Sequence, residues 1–310
     1  MADKEMTMRE ALNLALDHAL QTDDRVFLLG EDIADPGASG PTAGLSTKYG
    51  HDRVLDTPIS EAAIVGAAIA DQLINNAAKL RFMTAGRTTA PITIRTQVYA
   101  GLATGATHSQ SLEAWFMHIP GMKVIVPSTP RDGKGLLTSA IFDPDPCLFV
   151  ETVRLQSKKG PVPVDPSFAI PLGQADIKRP GADVSLISYG RAVHDALAAA
   201  ETLAEHDVSA EVVDLRTLVP LDVETVVESV RRTRRAVIVH DAVQFAGPGA
   251  EVAAILQAEL FGELVAPVER VGARFVPNPA AAALEAQVYP SPARVVAAAQ
   301  RTLAKAGARG

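Results

Sequence analysis

Short apolar runs of strand length alternate with longer stretches of helical period along nearly the whole chain, and this alternation leaves few architectures open. Ile92–Thr96, Lys123–Val126 and Cys147–Val150 read as strands separated by helical segments. The pattern returns at Val184–Ser188, Ala210–Val213 and Ala236–Val239, with the Ala-rich stretches His194–Glu205 and Ala250–Leu260 as helices between them. Strands linked through helices pair in parallel and take helices on both faces, so the expected class is α/β. Upstream, Thr7–Thr22 reads as a helix, followed by an apolar strand Val26–Leu29 that ends at Gly30 in a polar, Gly- and Pro-rich loop. A second helical run begins after Ser60, a capping residue, and its small apolar side chains continue through Ala70 toward Met83.

Between Gln156 and Pro180 the chain changes character: it is rich in Pro, Gly and Lys, and it contains GPVPVDPSFAIPLG. A linker is expected over 156–181, between a first domain at 1–155 and a smaller α/β domain at 182–310. The length of 310 residues, 47% of them hydrophobic, supplies two cores. No run approaches the roughly 18 apolar residues of a membrane span, and MADKEMTMRE has neither a signal-peptide core nor an Arg-rich transit pattern. A cytoplasmic protein is expected. The net charge is −7, and the basic cluster Arg231, Arg232, Arg234 and Arg235 sits at an apparent helix end, so neither nucleic acid nor membrane is an expected partner. Cys147 is the single cysteine; in the apolar run PCLFV it reads as a buried, inert thiol and excludes an internal disulfide or a Cys-based metal site.

Three positions carry chemistry that the pattern alone leaves open. Glu61, in DTPISEAAIVGAAIA, begins a helix of small and apolar residues. It either favours the positive end of the helix dipole or, if buried, is a carboxyl of raised pKa suited to sharing a proton with a ring nitrogen. His108 follows YAGLATGAT and precedes a helical segment carrying Trp115 and Phe116; in such a loop it is a candidate general acid, whereas His118 reads equally as a cap or core residue. Gly30, Glu31 and Asp32 close a strand, where α/β sheets hold ligands, and read otherwise as a solvated turn. GPG at Gly247–Gly249 lacks the spacing of a dinucleotide loop, and Pro248 lacks an N–H for phosphate.

MREALNLALDHAL, VFLLGEDIAD, DTPISEAAIVGAAIA, THSQSLEAWFMHIPGMKVIVPSTPRDGKGLL and VDLRTLVPLD together resemble the β subunits of pyruvate, branched-chain 2-oxo acid and acetoin dehydrogenase E1 components, in the family's order and nearly end to end. The resemblance implies a pyrimidine-binding α/β domain with a parallel sheet and helices on both faces, followed by a transketolase C-terminal-like domain. It implies an α2β2 heterotetramer with thiamine diphosphate between unlike chains. In that family the diphosphate and its Mg²⁺ are held by a GDG motif on the α subunit, and no GDG occurs here. By similarity, Glu61 hydrogen-bonds the aminopyrimidine N1′ and favours the imino tautomer, His108 assists proton transfer during acyl transfer to a lipoyl-bearing E2, and Glu31 matches an acidic position near the cofactor. A structural potassium ion would map onto the carbonyls of Ile92 and Ala140 and onto Asp143 and Asp145.

The chain departs from the family where GAAIA runs straight into DQLINNAAK. Family members carry a further segment there, with a strand and an EIQFADF-like stretch whose aromatic packs on the aminopyrimidine. Smaller departures are Thr107, where a Gln commonly precedes the histidine, and the run Ala280–Ala283, where bulkier residues are usual. The expected function is the β half of an E1 acting on a small 2-oxo acid. Its rivals are a noncatalytic interaction subunit of the same fold, a transketolase-like synthase half that uses no lipoyl-E2, and a nucleotide-binding α/β protein, which would lack a phosphate loop.

Overall fold

The structure is a computed structural model and describes residues 3–34, 40–57 and 71–304. Strand β1 (Asp3–Thr7) runs into helix α1 (Met8–Thr22) through a reciprocal cap. Thr7 Oγ1 accepts the Glu10 N–H at 3.2 Å, and the Glu10 carboxylate accepts the Thr7 N–H at 2.7 Å, so two otherwise unpaired helix-end donors are satisfied. Ala11, Leu12, Ala15, Leu16, Ala19 and Leu20 recur at helical spacing and are buried. The chain continues through β2 (Leu28–Gly30), α2 (Leu45–Tyr49) and β3 (Val54–Asp56). After a π-helical turn at Gln72–Ala77 come α3 (Ala78–Met83), β4 (Thr93–Val98), α4 (Glu113–Met117), β5 (Lys123–Ile125), α5 (Pro130–Ile141) and β6 (Cys147–Thr152).

The remainder comprises β7 (Lys159–Pro163), β8 (Asp176–Arg179), β9 (Val184–Ser188), α6 (Ala192–Ala204), β10 (Ala210–Asp214), β11 (Thr217–Val219) and α7 (Val223–Thr233). It ends with β12 (Ala236–Val243), α8 (Pro248–Glu259), β13 (Glu269–Ala273), α9 (Ala282–Glu285) and α10 (Pro292–Ala304). A five-stranded sheet has the order β13-β12-β9-β10-β8, parallel except for β8. A four-stranded sheet has the order β11-β5-β6-β4, parallel except for β11. The fold is thus the expected α/β class. The stretch read as a linker is not featureless: β7 pairs with β1 and β8 forms an edge of the five-stranded sheet. Both are antiparallel edge strands rich in Lys, Asp and Pro, so no apolar run announces them.

The β2–β3 pair stands apart as a two-stranded parallel sheet, and among the described residues no strand joins it to β4. Packing holds it, together with Arg53, whose Nη2 donates to the Leu20 carbonyl of α1 at 3.0 Å. Val26, Leu28 and Val54 lie in one apolar cluster with Leu12 and Leu16 of α1, Leu136 of α5, Ile125 of β5 and Phe149 of β6. Helices α1 and α5 approach so closely that a Cβ at Gly133 would stand 2.3 Å from Met8 Sδ.

Charge joins the two larger sheets. Asp132, in the first turn of α5 and fully buried, takes Lys178 Nζ of β8 at 2.6 Å and Arg216 Nη2, beyond β10, at 2.7 Å. Asp214, at the end of β10, accepts the Ser128 hydroxyl and lies 3.5 Å from Lys178. Burial raises Asp132, but Lys178 and Arg216 outweigh it and hold the carboxyl below its usual range, whereas burial pushes Asp214 up to about 6. Asp132→Asn would put a neutral amide in place of the buried carboxylate facing the half-buried Lys178 and Arg216, leaving them Asp176 and, for Lys178, Asp214. We expect a loss of about 3–5 kcal/mol, read as a lowered midpoint in urea unfolding; a midpoint within a tenth of the parent's would show that the pair holds nothing.

Candidate functional site

The register of β2 with β3 sets Gly30 opposite Asp56, so both strands end at one edge. Glu31 and Asp32 form the turn that follows, with Asp32 at φ +52°. Asp56 Oδ1 accepts the N–H groups of Ile33 at 2.8 Å and Ala34 at 3.3 Å, which ties that turn to β3. From the same edge the chain leads toward Glu61, which lies outside the described residues.

His108 lies in the loop leaving the carboxyl end of β4, and its side chain is exposed, as is that of His118 at the end of α4. The loop bends through Gly101, Ala103 and Gly105, all at positive φ. At Gly101, φ is +79° and a Cβ would stand 2.6 Å from Arg154 Nη1, so this position requires glycine. Ser109, which follows His108, is fully buried, with its hydroxyl 2.7 Å from that of Thr104.

Beneath this loop, between the two sheets, lies a small pocket of about 10 Å³, room for one water, lined in part by Ser111, Glu113, Thr152, Tyr189, Arg191 and Asp241. Arg191 pairs with Asp241 and, at 2.8 Å, with Asp195. Glu113 Oε2, Ser111 Oγ and the Tyr189 hydroxyl have no hydrogen-bond partner among the described residues. Burial pushes the Glu113 carboxyl up to about 7, and Asp241 adds to the rise. Burial also drives His240, stacked on Tyr189 at 6.1 Å, down to about 4, so that imidazole is neutral. Glu113 was not singled out by the sequence pattern, although a lone carboxylate in SLEAWF has the same signature as Glu61.

The four residues mapped for potassium come together at the opposite, amino ends of β4 and β6. The Ile92 carbonyl accepts the Cys147 N–H at 2.9 Å, and the Ala140 carbonyl accepts the Thr93 hydroxyl at 2.9 Å. Lys123 Nζ sits 2.6 Å from the Asp143 carboxylate, and Arg81 Nε donates to Asp145 at 2.6 Å. An open cleft of about 520 Å³ adjoins them, lined in part by His18, Lys123, Phe142 and Asp143, away from the carboxyl ends where such sheets hold ligands. Among the described residues no group of three or more His, Cys, Asp or Glu could hold a metal ion, and no helix is long and apolar enough to cross a membrane. Burial drives the Cys147 thiol up to about 12, which makes it inert. The arginine cluster ends α7, where Arg232 pairs with Glu211 at 2.8 Å and Arg234 Nε donates to the Glu263 carbonyl at 2.8 Å.

Residues 4–157 match the family described as "Transketolase, pyrimidine binding domain", and residues 173–295 match "Transketolase, C-terminal domain". The chain is 42% identical to a protein of Oryza sativa subsp. japonica named pyruvate dehydrogenase E1 component subunit beta-2, mitochondrial, over 98% of this chain and 88% of that one. It is 42% identical to the acetoin:2,6-dichlorophenolindophenol oxidoreductase subunit beta of Cupriavidus necator over 97% and 98%. The Bacillus subtilis protein of the same name is 40% identical over 94% and 95%. A solved structure described as "Split gene transketolase, inactive beta4 tetramer" superposes with a TM-score of 0.71 at 23% identity, covering 96% of this chain and 99% of that one, and shows the fold. The match to the rice protein spans 331 positions, whereas 98% of this 310-residue chain is about 304 residues, so about 27 positions have no counterpart here.

A carboxyl whose pKa in the fold lies above its value near 4.5 in the unfolded chain binds its proton more tightly when folded. Stability from Glu113 is therefore fullest below that value and falls as pH rises toward 7. Glu113→Gln abolishes this fall, so the variant's stability relative to the parent should rise by about 3 kcal/mol between pH 4.5 and 8 in urea titrations. Parallel curves for the two proteins would place the raised carboxyl elsewhere.

Proposed function

Because this chain belongs to the transketolase-like family of E1 β subunits of 2-oxo acid dehydrogenases, we propose that it is half of an E1 that oxidatively decarboxylates a small 2-oxo acid. The acyl group then passes to a lipoyl-bearing E2, and the chain works only when paired with an α subunit. The observation that carries this is near full-length identity of about 42% to subunits so named. E1 components of this family depend on thiamine diphosphate, which when bound supplies the electron sink for decarboxylation.

The residues on this chain suit the aminopyrimidine half of that cofactor. A carboxylate at position 31 and the segment leading to Glu61 leave the sheet at one edge, and an imidazole at position 108 stands on an exposed loop. No GDG motif occurs in the sequence, so the diphosphate and Mg²⁺ would be held by the α subunit. Glu61 would hold a proton at the pyrimidine N1′, and His108 would move one during acyl transfer. A potassium ion beside Asp143 and Asp145 would be held through the carbonyls of Ile92 and Ala140, because Lys123 and Arg81 already balance the two carboxylates. Exposed Phe82, Trp115, Phe261 and the adjacent pair Phe245 and Phe275 favour burial in an α2β2 assembly.

A second reading, a noncatalytic interaction subunit, draws support from the unmatched positions. The two part on one assay: reduction of an artificial electron acceptor by the co-purified α/β complex with a small 2-oxo acid, with and without thiamine diphosphate and Mg²⁺. We expect cofactor-dependent turnover; an assembled complex that neither binds the cofactor nor turns over would favour the second reading. In the active complex, Glu61→Gln should lower turnover about a hundred-fold or more while assembly survives. Unchanged turnover would remove Glu61 from the mechanism. His108→Ala should damage lipoyl acylation more than artificial-acceptor reduction, and equal loss in both would argue against its role in acyl transfer.

A further inference from the structure

The loop that carries His108 is gripped by side chains from far along the chain. Glu285, at the end of α9 and 2% exposed, accepts the Gly101 N–H at 3.2 Å and the Ala103 N–H at 2.7 Å, one on each carboxylate oxygen. Two backbone donors from left-handed residues converging on one anion make a concave anion nest, which here is filled by the protein's own carboxylate. Farther along the loop, the Ser109 carbonyl accepts both the Tyr289 hydroxyl at 2.8 Å and Asn278 Nδ2 at 2.9 Å. Ser109 follows His108, and its carbonyl belongs to the Ser109–Gln110 peptide, so holding that carbonyl restrains the backbone one residue beyond the imidazole. The gripping segment is itself anchored: Arg294 of α10 donates to the carbonyls of Val288 at 3.2 Å, Tyr289 at 2.7 Å and Gly272 at 2.9 Å, the last of these in β13.

We propose that Glu285, Tyr289 and Asn278 are positioning residues for His108: they clamp the loop at both ends and set where the imidazole stands. The catalytic part rests on the role given to His108 above. None of the three needs to touch substrate or cofactor. A loop with three left-handed residues has no ladder to hold it, and the hydrogen bonds that order it come in large part from the second sheet's flank.

The clamp is tested with Tyr289→Phe, Glu285→Gln and Glu285→Ala in the α/β complex, with His108→Ala as the reference. Two quantities are read: hydrogen–deuterium exchange of the peptide covering 99–112, and the ratio of lipoyl acylation to artificial-acceptor reduction. Tyr289→Phe keeps the ring and loses one donor, so it should speed exchange in that peptide and lower the ratio about five-fold, with the melting temperature nearly unchanged. Glu285→Ala should lower the ratio further, and Glu285→Gln, which keeps one acceptor oxygen, should recover part of the loss. Exchange and ratio both unchanged in Tyr289→Phe and Glu285→Ala, with His108→Ala showing its own loss, would overturn the clamp and leave the role of His108 standing. Faster exchange with an unchanged ratio would reduce the three to structural residues. If His108→Ala itself leaves the ratio unchanged, the role of His108 falls, and the exchange measurement alone decides whether the clamp exists.

Discussion

Asp132 carries its charge inside the protein, and an interior carboxylate is tolerable only where cations or hydrogen-bond donors meet it. Lys178 and Arg216 do so, and both belong to the part of the chain that builds the five-stranded sheet. Helix α5, which packs on α1 beside the four-stranded sheet, therefore has its first turn neutralised from the other side of the molecule. Strand β11 adds a second tie. Although it follows the five-stranded sheet's β10 in sequence, it pairs antiparallel with β5, and the Val126 N–H donates to the Arg216 carbonyl at 2.8 Å. Charge and backbone thus fasten the two sheets at the same seam.

That seam is where the unsatisfied chemistry collects. The Glu113 carboxyl, the Tyr189 hydroxyl and the Arg191–Asp241 pair meet there under the exposed loop of His108, and side chains of the second half hold that loop at both ends. A rigid seam is a precondition for such a site. A buried carboxyl near pH 7 and a loop without a ladder both need surroundings that do not move with them.

The architecture was legible wherever a strand is an apolar run. Val184–Ser188 is a strand at the bounds the pattern implies, and Cys147, Ala210 and Ala236 each begin one. It was illegible where a strand is made by its partner. DIKR at β8 and KGPVP at β7 carry no periodic apolar signal, and their pairing follows from what lies beside them. His108 could be read as a loop residue because glycines precede it. The side chains that grip its loop could not, because Glu285 and Tyr289 lie about 180 positions away and only the closed fold brings them near. Glu285 and Glu113 share with Glu61 the pattern of a single carboxylate among small and apolar residues, but neither follows a capping residue that would mark a helix start.

The β2–β3 pair poses a different problem from the seam. Glu31 and the segment leading to Glu61 ride on that pair, whereas His108 rides on β4, and among the described residues no ladder of hydrogen bonds connects β3 with β4. The pair is held instead by Val26, Leu28 and Val54 packing on α1 and its neighbours, and by Arg53, just before β3, which donates to the carbonyls of Leu20 and Asp23, each at 3.0 Å. Hydrophobic contact is strong but non-directional, whereas a strand ladder sets register to the residue. Direction comes from the Arg53 hydrogen bonds to the end of α1, so the Glu31 turn is placed relative to His108 through α1 and through β6, which packs on the same core and pairs with β4.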